Sequence, residues 1–96
     1  MIVLRWLKTW FEENNQIFSE RNITFSFSTI TKTDNPAQYV DIDTETRMAR
    51  VTLWKTGGCD FQILENETGK TVFWENDAVK SKETLANFLN KGFSQL

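Results

Sequence analysis

Histidine is absent from the chain. That removes Ser-His-Asp and Cys-His nucleophile arrangements, together with the commonest general base and the commonest metal ligand. Cysteine occurs once, at Cys59, so an internal disulfide cannot form, nor can a zinc site of four Cys and His ligands. Basic residues are not clustered. Eleven Lys and Arg stand against thirteen Asp and Glu, leaving a net charge of −2 and a pI near 5.1, so the phosphate-neutralising footprint of a nucleic-acid binder is missing. No run approaches the roughly 20 apolar residues that cross a bilayer. The apolar start Ile2-Val3-Leu4 is interrupted by Arg5, Lys8, Glu12 and Glu13, unlike a secretory signal. No repeat, linker or low-complexity stretch is visible. These absences predict a chain with no nucleic-acid, membrane or cofactor partner, and the lone thiol suits a reducing cytoplasm.

Aromatic residues, by contrast, are plentiful: eight Phe, four Trp and one Tyr among 96 residues. One domain spanning 1–96 is the expectation for this length. Each aromatic side chain can bury roughly 150–250 Å², more than one modest core needs from so many, so some rings are expected on the surface.

Along the chain the hydrophobic period changes twice. Val3, Trp6, Leu7, Trp10, Phe11, Ile17 and Phe18 recur at helical spacing and predict one amphipathic helix from Val3 to about Arg21. Residues 22–33 switch to a period of two, with Ile23, Phe25 and Phe27 on one side. After the Asp34-Asn35-Pro36 turn signal, further strands are predicted over Gln38–Asp43, Arg47–Lys55, Cys59–Glu65 and Lys70–Glu75. Gly57-Gly58 and Asn66-Glu67-Thr68-Gly69 supply tight turns, with Gly69 at a left-handed position. Connections this short permit only antiparallel neighbours. Leu85, Phe88, Leu89, Phe93 and Leu96 return to helical spacing behind Ser81 as N-cap, with Glu83 in the first turn. Gly92, worth roughly 1 kcal/mol less than Ala in a helix interior, predicts a frayed last turn. The expected fold is α+β: a five-stranded antiparallel meander, α-β-β-β-β-β-α, with the N- and C-terminal helices packed on one face.

Chemical motifs fail one by one. Cys59 follows Gly57-Gly58 and precedes Asp60, whose charge disfavours a thiolate, and it reads as a small core residue. Asp41, Asp43 and Glu45 have the spacing of a calcium-loop start, but the required glycine and the closing Glu are replaced by Thr46 and Thr52. Gly57-Gly58 has no following helix or Walker lysine. A divalent-metal hydrolase built on Asp41, Asp43 and Asp60 is the one catalytic alternative these residues leave open.

Alternation also defines an outer sheet face. It carries Tyr39, Asp41 and Asp43, then Met48, Arg50, Thr52 and Trp54, then Asp60, Gln62 and Leu64, with Phe73 or Trp74 depending on register. Tyr, Trp, Met and Arg are enriched in interface cores, and acids among them would steer a basic partner. Tyr39, Asp41, Asp43, Arg50, Trp54 and Asp60 are therefore the expected partner-binding residues. The occupant could be another protein or a second copy of this chain, as in a self-associating structural module.

Several segments together resemble a known family. Ala37-Gln38-Tyr39-Val40-Asp41-Ile42-Asp43 is followed by Ala49-Arg50-Val51-Thr52-Leu53-Trp54, then by Gly58-Cys59-Asp60-Phe61-Gln62-Ile63-Leu64 and Thr68-Gly69-Lys70. Behind a Trp-rich N-terminal helix, this arrangement is similar to the TriTu family of bacterial immunity proteins. The resemblance implies a cognate antidote, encoded beside a TreTu-type toxin carried on Rhs or type VI secretion effectors. Such toxins resemble ADP-ribosyltransferases that use NAD to modify elongation factor Tu, and the antidote binds its toxin in the cytoplasm. No contact residue follows from the family pattern, so the expected contacts rest on alternation alone.

Overall fold

Leu7 and Phe11, one helical turn apart, and Phe18, two turns further, form the buried line of the N-terminal helical segment. The computed structural model describes residues 2–96, with Met1 outside them. It divides the expected single helix into α1 (Arg5–Glu13) and α2 (Asn15–Glu20). The break sits at Asn14 (φ −105°, ψ 10°), whose side-chain Nδ2 donates to the Trp10 carbonyl at 2.8 Å. A side chain that bonds the local backbone competes with helix continuation, which is why Asn is poor in helix interiors. With the buried line running through Phe18, Ile17 falls outward and is half exposed. Its expected place in the apolar stripe is corrected accordingly.

The turn out of α2 is a Schellman motif. Asn22 takes the left-handed conformation (φ 56°), Asn22 N–H donates to Ser19 O, and Ile23 N–H donates to Phe18 O at 2.8 Å. Ile23 and Phe18 are both buried, giving the apolar contact that accompanies this cap. The chain then enters β1 (Thr24–Ile30), shorter at both ends than expected, and continues through β2 (Ala37–Asp43), β3 (Arg47–Trp54), β4 (Gly58–Glu65) and β5 (Thr71–Ala78). The five strands lie in sequence order, each antiparallel to the last. Gly57 (φ 104°) and Gly69 (φ 70°) occupy the left-handed turn positions that glycine tolerates.

β5 runs three residues beyond its expected end and contains a bulge. Ile63 faces Phe73, whereas Leu64 faces Thr71, leaving Val72 without an opposite residue. That extra residue settles the phase of β5. Phe73 turns inward onto Phe61, ring centroids 5.8 Å apart, and Trp74 turns outward, 62% exposed.

The last helix, α3 (Lys82–Phe93), starts in a capping box. Thr84 N–H donates to Ser81 Oγ, and the Ser81 N–H donates back to Thr84 Oγ1. The helices cover the inner sheet face. Leu7, Phe11 and Phe18 meet Leu85, Leu89 and Phe93 above Val40, Val51, Phe61 and Ile63 in one continuous core. Phe18 and Phe93 stack at 4.8 Å. α3 ends at Phe93, one residue after Gly92, and Gly92 itself is buried against Phe61.

Candidate functional site: the outer sheet face

Strand register sorts the outer side chains into rows across the sheet. One row runs Ser26, Asp41, Arg50, Gln62, Trp74, and the next runs Ser28, Tyr39, Thr52, Asp60, Asn76. Asp41 and Arg50 are directly opposite, and opposite charges in that relation attract. Arg50 Nε donates to Asp41 Oδ1 at 2.6 Å and its Nη2 donates to Oδ2 at 3.1 Å. This is a two-pronged contact that only a planar guanidinium makes. The Arg50 guanidinium also lies over the Tyr39 ring, 4.4 Å from the centroid. The Asp41 hydrogen bond and charge raise the Arg50 pKa further. Tyr39, Arg50 and Asp41 thus form one mutually contacting cluster on an otherwise solvent-facing surface, with the Arg50 and Asp41 side chains 57% and 41% exposed.

A second cluster lies toward β5. Trp74 Nε1 donates to Asp60 Oδ1 at 2.7 Å, tying an exposed indole to an expected site residue. Trp54, at the far end of β3, lies against Gly58: a Cβ there would stand 3.6 Å from Trp54 Cε3. Asp43 is at the opposite end of the face, in the row with Met48 and Leu64. An open groove of about 470 Å³ runs between Asp41, Asp43, Met48, Arg50, Gln62 and Leu64.

Of the six expected residues, Tyr39, Asp41 and Arg50 are brought together, while Asp43, Trp54 and Asp60 stand around them on the same face. Trp74, Met48 and Leu64 belong to the surface as well. Sequence reasoning left Trp74 undecided because one bulged residue reverses its side, and the pattern Thr71-Val72-Phe73-Trp74 carries no mark of the bulge.

The metal-hydrolase alternative finds no geometry. Asp41 is held by Arg50 and Asp60 by Trp74, and no group of three or more acidic or thiol side chains among the described residues is arranged to share a metal ion. Cys59 faces inward, fully buried. Burial, with the charges of Asp60 and Asp77 adding to it and a backbone hydrogen bond opposing, pushes its thiol up to about 12. It is protonated and unreactive at neutral pH. Among the described residues no helix is long and apolar enough to cross a membrane.

Comparison with curated proteins finds no match. The family model described as "Immunity protein TriTu" matches residues 5–95, a span that contains all three helices and all five strands. The chain belongs to the TriTu family of immunity proteins.

Proposed function

We propose that this immunity protein binds and neutralises a cognate ADP-ribosyltransferase toxin acting on elongation factor Tu in the cytoplasm, and that it does so through the outer sheet face rather than by catalysis. Family membership supports the immunity role. The toxin class, its Rhs or type VI carrier and its target are what the family resemblance implies and are part of the proposal.

The observation that carries the choice of face is the Tyr39–Arg50–Asp41 cluster. Aromatic and Arg side chains dominate binding hot spots, but ordering a free Arg on binding costs about 0.5–1.5 kcal/mol. Here contacts with Asp41 and the Tyr39 ring already favour one guanidinium position before any partner arrives, which lowers that cost. Trp74 is likewise fixed by Asp60. At one end of the face Asp43 and, at the hairpin ends, Glu45, Glu65 and Glu67 with Arg47 among them set a rim of net negative charge. Such a rim accelerates encounter with a basic surface and makes the on-rate fall with added salt.

Co-expression with the toxin encoded beside this chain tests the proposal directly. Growth rescue and a co-purifying complex are expected. In the same assay Trp54→Ala and Asp41→Lys weaken the complex while the far-UV circular dichroism still reports the parent's fold. Asp41→Lys, which faces Arg50 with a like charge, also lowers the melting temperature. Unchanged affinity in both variants would place the interface elsewhere, the apolar groove between α1 and α3 around Trp6, Trp10 and Leu85 being the next candidate. Absence of both rescue and complex would overturn the function itself.

A further inference from the structure

The two edges of the sheet are built differently. β5 carries the protections that natural edge strands use against pairing: a bulge at Val72, and charged side chains at Glu75 and Asp77 on the inward-facing side. Glu75 is further engaged by Lys91 at 2.8 Å. β1 has none of them. Its seven residues, Thr-Phe-Ser-Phe-Ser-Thr-Ile, include no charge, no proline and no glycine, and its register with β2 is unbroken from Thr24↔Asp43 to Ile30↔Ala37. No other strand pairs with its free side among the described residues. Phe25 and Phe27 are only partly buried there, and Ile30 at its end is 47% exposed.

We propose that β1 is a pairing edge whose occupant is a second copy of this chain, joined antiparallel about a two-fold axis normal to the sheet and midway between the two copies of Phe27. The strand is self-complementary in that register. Phe27 meets its own copy and Phe25 meets Thr29 of the second copy on the inner side. Ser26 meets Ser28 and Thr24 meets Ile30 on the outer side. No like charges are opposed, and hydroxyl pairs and apolar contacts are the kinds that stabilise antiparallel neighbours. Lys8, seated over Phe27 at 5.9 Å, is followed one helical turn on by Glu12, so the rim above the inner side carries both signs. Backbone groups left to water in the monomer become ladder hydrogen bonds, and the two aromatic layers join. An axis normal to the sheet keeps both outer faces on one side and all helices on the other. The dimer therefore leaves both outer faces open, and this inference does not depend on which surface holds the toxin.

Light scattering on the isolated chain from micromolar to millimolar concentration, together with two double variants, tests the arrangement. The parent is expected to approach twice the single-chain mass, with amide exchange of residues 24–30 slowing as concentration rises. Ser26→Lys with Ser28→Lys sets like charges opposite each other at both symmetry-related pairs and is expected to weaken the dimer by roughly tenfold or more. Ser26→Lys with Ser28→Glu sets opposite charges there and restores it. A parent that stays monomeric without concentration-dependent exchange overturns the proposal, and so does a dimer indifferent to both variants or broken equally by both. A monomer whose lysine variant loses only the toxin also overturns it, assigning the edge to a toxin strand instead. The exchange measurement on the parent stands even if a charged variant fails to fold.

Discussion

Replacing Gly92 with alanine sets two effects of opposite sign against each other. Gly92 lies inside α3, and helix propensity alone favours alanine there by about 1 kcal/mol. Packing opposes it. A Cβ on Gly92 would stand 2.3 Å from Phe61 Cε2 and 2.4 Å from Cδ2, against the roughly 3.5–4.0 Å at which carbon atoms attract. Phe61 cannot easily yield, being fully buried with Phe73, Phe88 and Phe93 around its ring at 5.8, 6.4 and 5.6 Å. Relief requires α3 to lift from β4 or the ring to leave its rotamer, and overpacking of this kind costs about 1–3 kcal/mol or more. The expected net effect of Gly92→Ala is destabilisation by about 1–2 kcal/mol, read as a fall in melting temperature of about 5–15 °C for a domain of this size. Urea unfolding followed by tryptophan fluorescence should show a lower midpoint at unchanged m-value. Combining Gly92→Ala with Phe61→Leu removes the clash, so the alanine should cost much less in that background. A Gly92→Ala protein as stable as the parent, or more so, would contradict this expectation. It would mean that the close approach of α3 to β4 is not a constraint.

Other consequences concern the cap, the thiol and the outer face. Ser81→Ala removes the side-chain half of the capping box at α3, leaving the Thr84 N–H without its Oγ acceptor while the backbone N–H of residue 81 still donates to Thr84 Oγ1, and should lower stability by about 1 kcal/mol in the same urea titration. Cys59 should resist a thiol reagent in the native protein and react only on unfolding. Because its folded pKa, about 12, lies above the usual thiol value, the unfolded state ionises first as pH rises. Its contribution is therefore intact below about pH 8.5 and is lost progressively as pH climbs toward the folded value, so the alkaline fall in urea midpoint should be shallower in Cys59→Ala than in the parent. Arg50→Ala breaks an exposed ion pair and should change stability by no more than about 1 kcal/mol. The same change should weaken toxin binding by more than that, which isothermal titration of the complex would resolve.

Much of the fold is legible in local pattern. The period-two runs at Tyr39–Asp43, Met48–Trp54 and Cys59–Leu64 identify the inner and outer faces without coordinates, since a strand alternates its side chains whatever it pairs with. Turn chemistry at Gly57 and Gly69 and the Ser81 cap are equally local, because each depends on a residue and its near neighbours. Short connections leave antiparallel pairing as the only topology, and the missing histidine excludes whole classes of chemistry before any geometry is known.

Tertiary structure decided what depends on residues far apart in the chain. The outward turn of Ile17 follows from which line of the helical segment meets the sheet, whereas the break at Asn14 is a local effect of its own side chain. The bulge at Val72, and with it the side on which Trp74 emerges, follows from the pairing of β5 with β4. Gly92 reads locally as a weakness in a helix and proves to be a point where Phe61 leaves no room for a side chain. Asp41 and Arg50 are both visible on the outer face in sequence, nine residues apart. That they face each other and lock onto Tyr39 is a matter of register between β2 and β3, which alternation alone cannot specify. Composition and periodicity thus determine that this chain has a mixed aromatic and acidic sheet face, and the three-dimensional register determines which of those side chains meet: Asp41 with Arg50, and Arg50 with Tyr39.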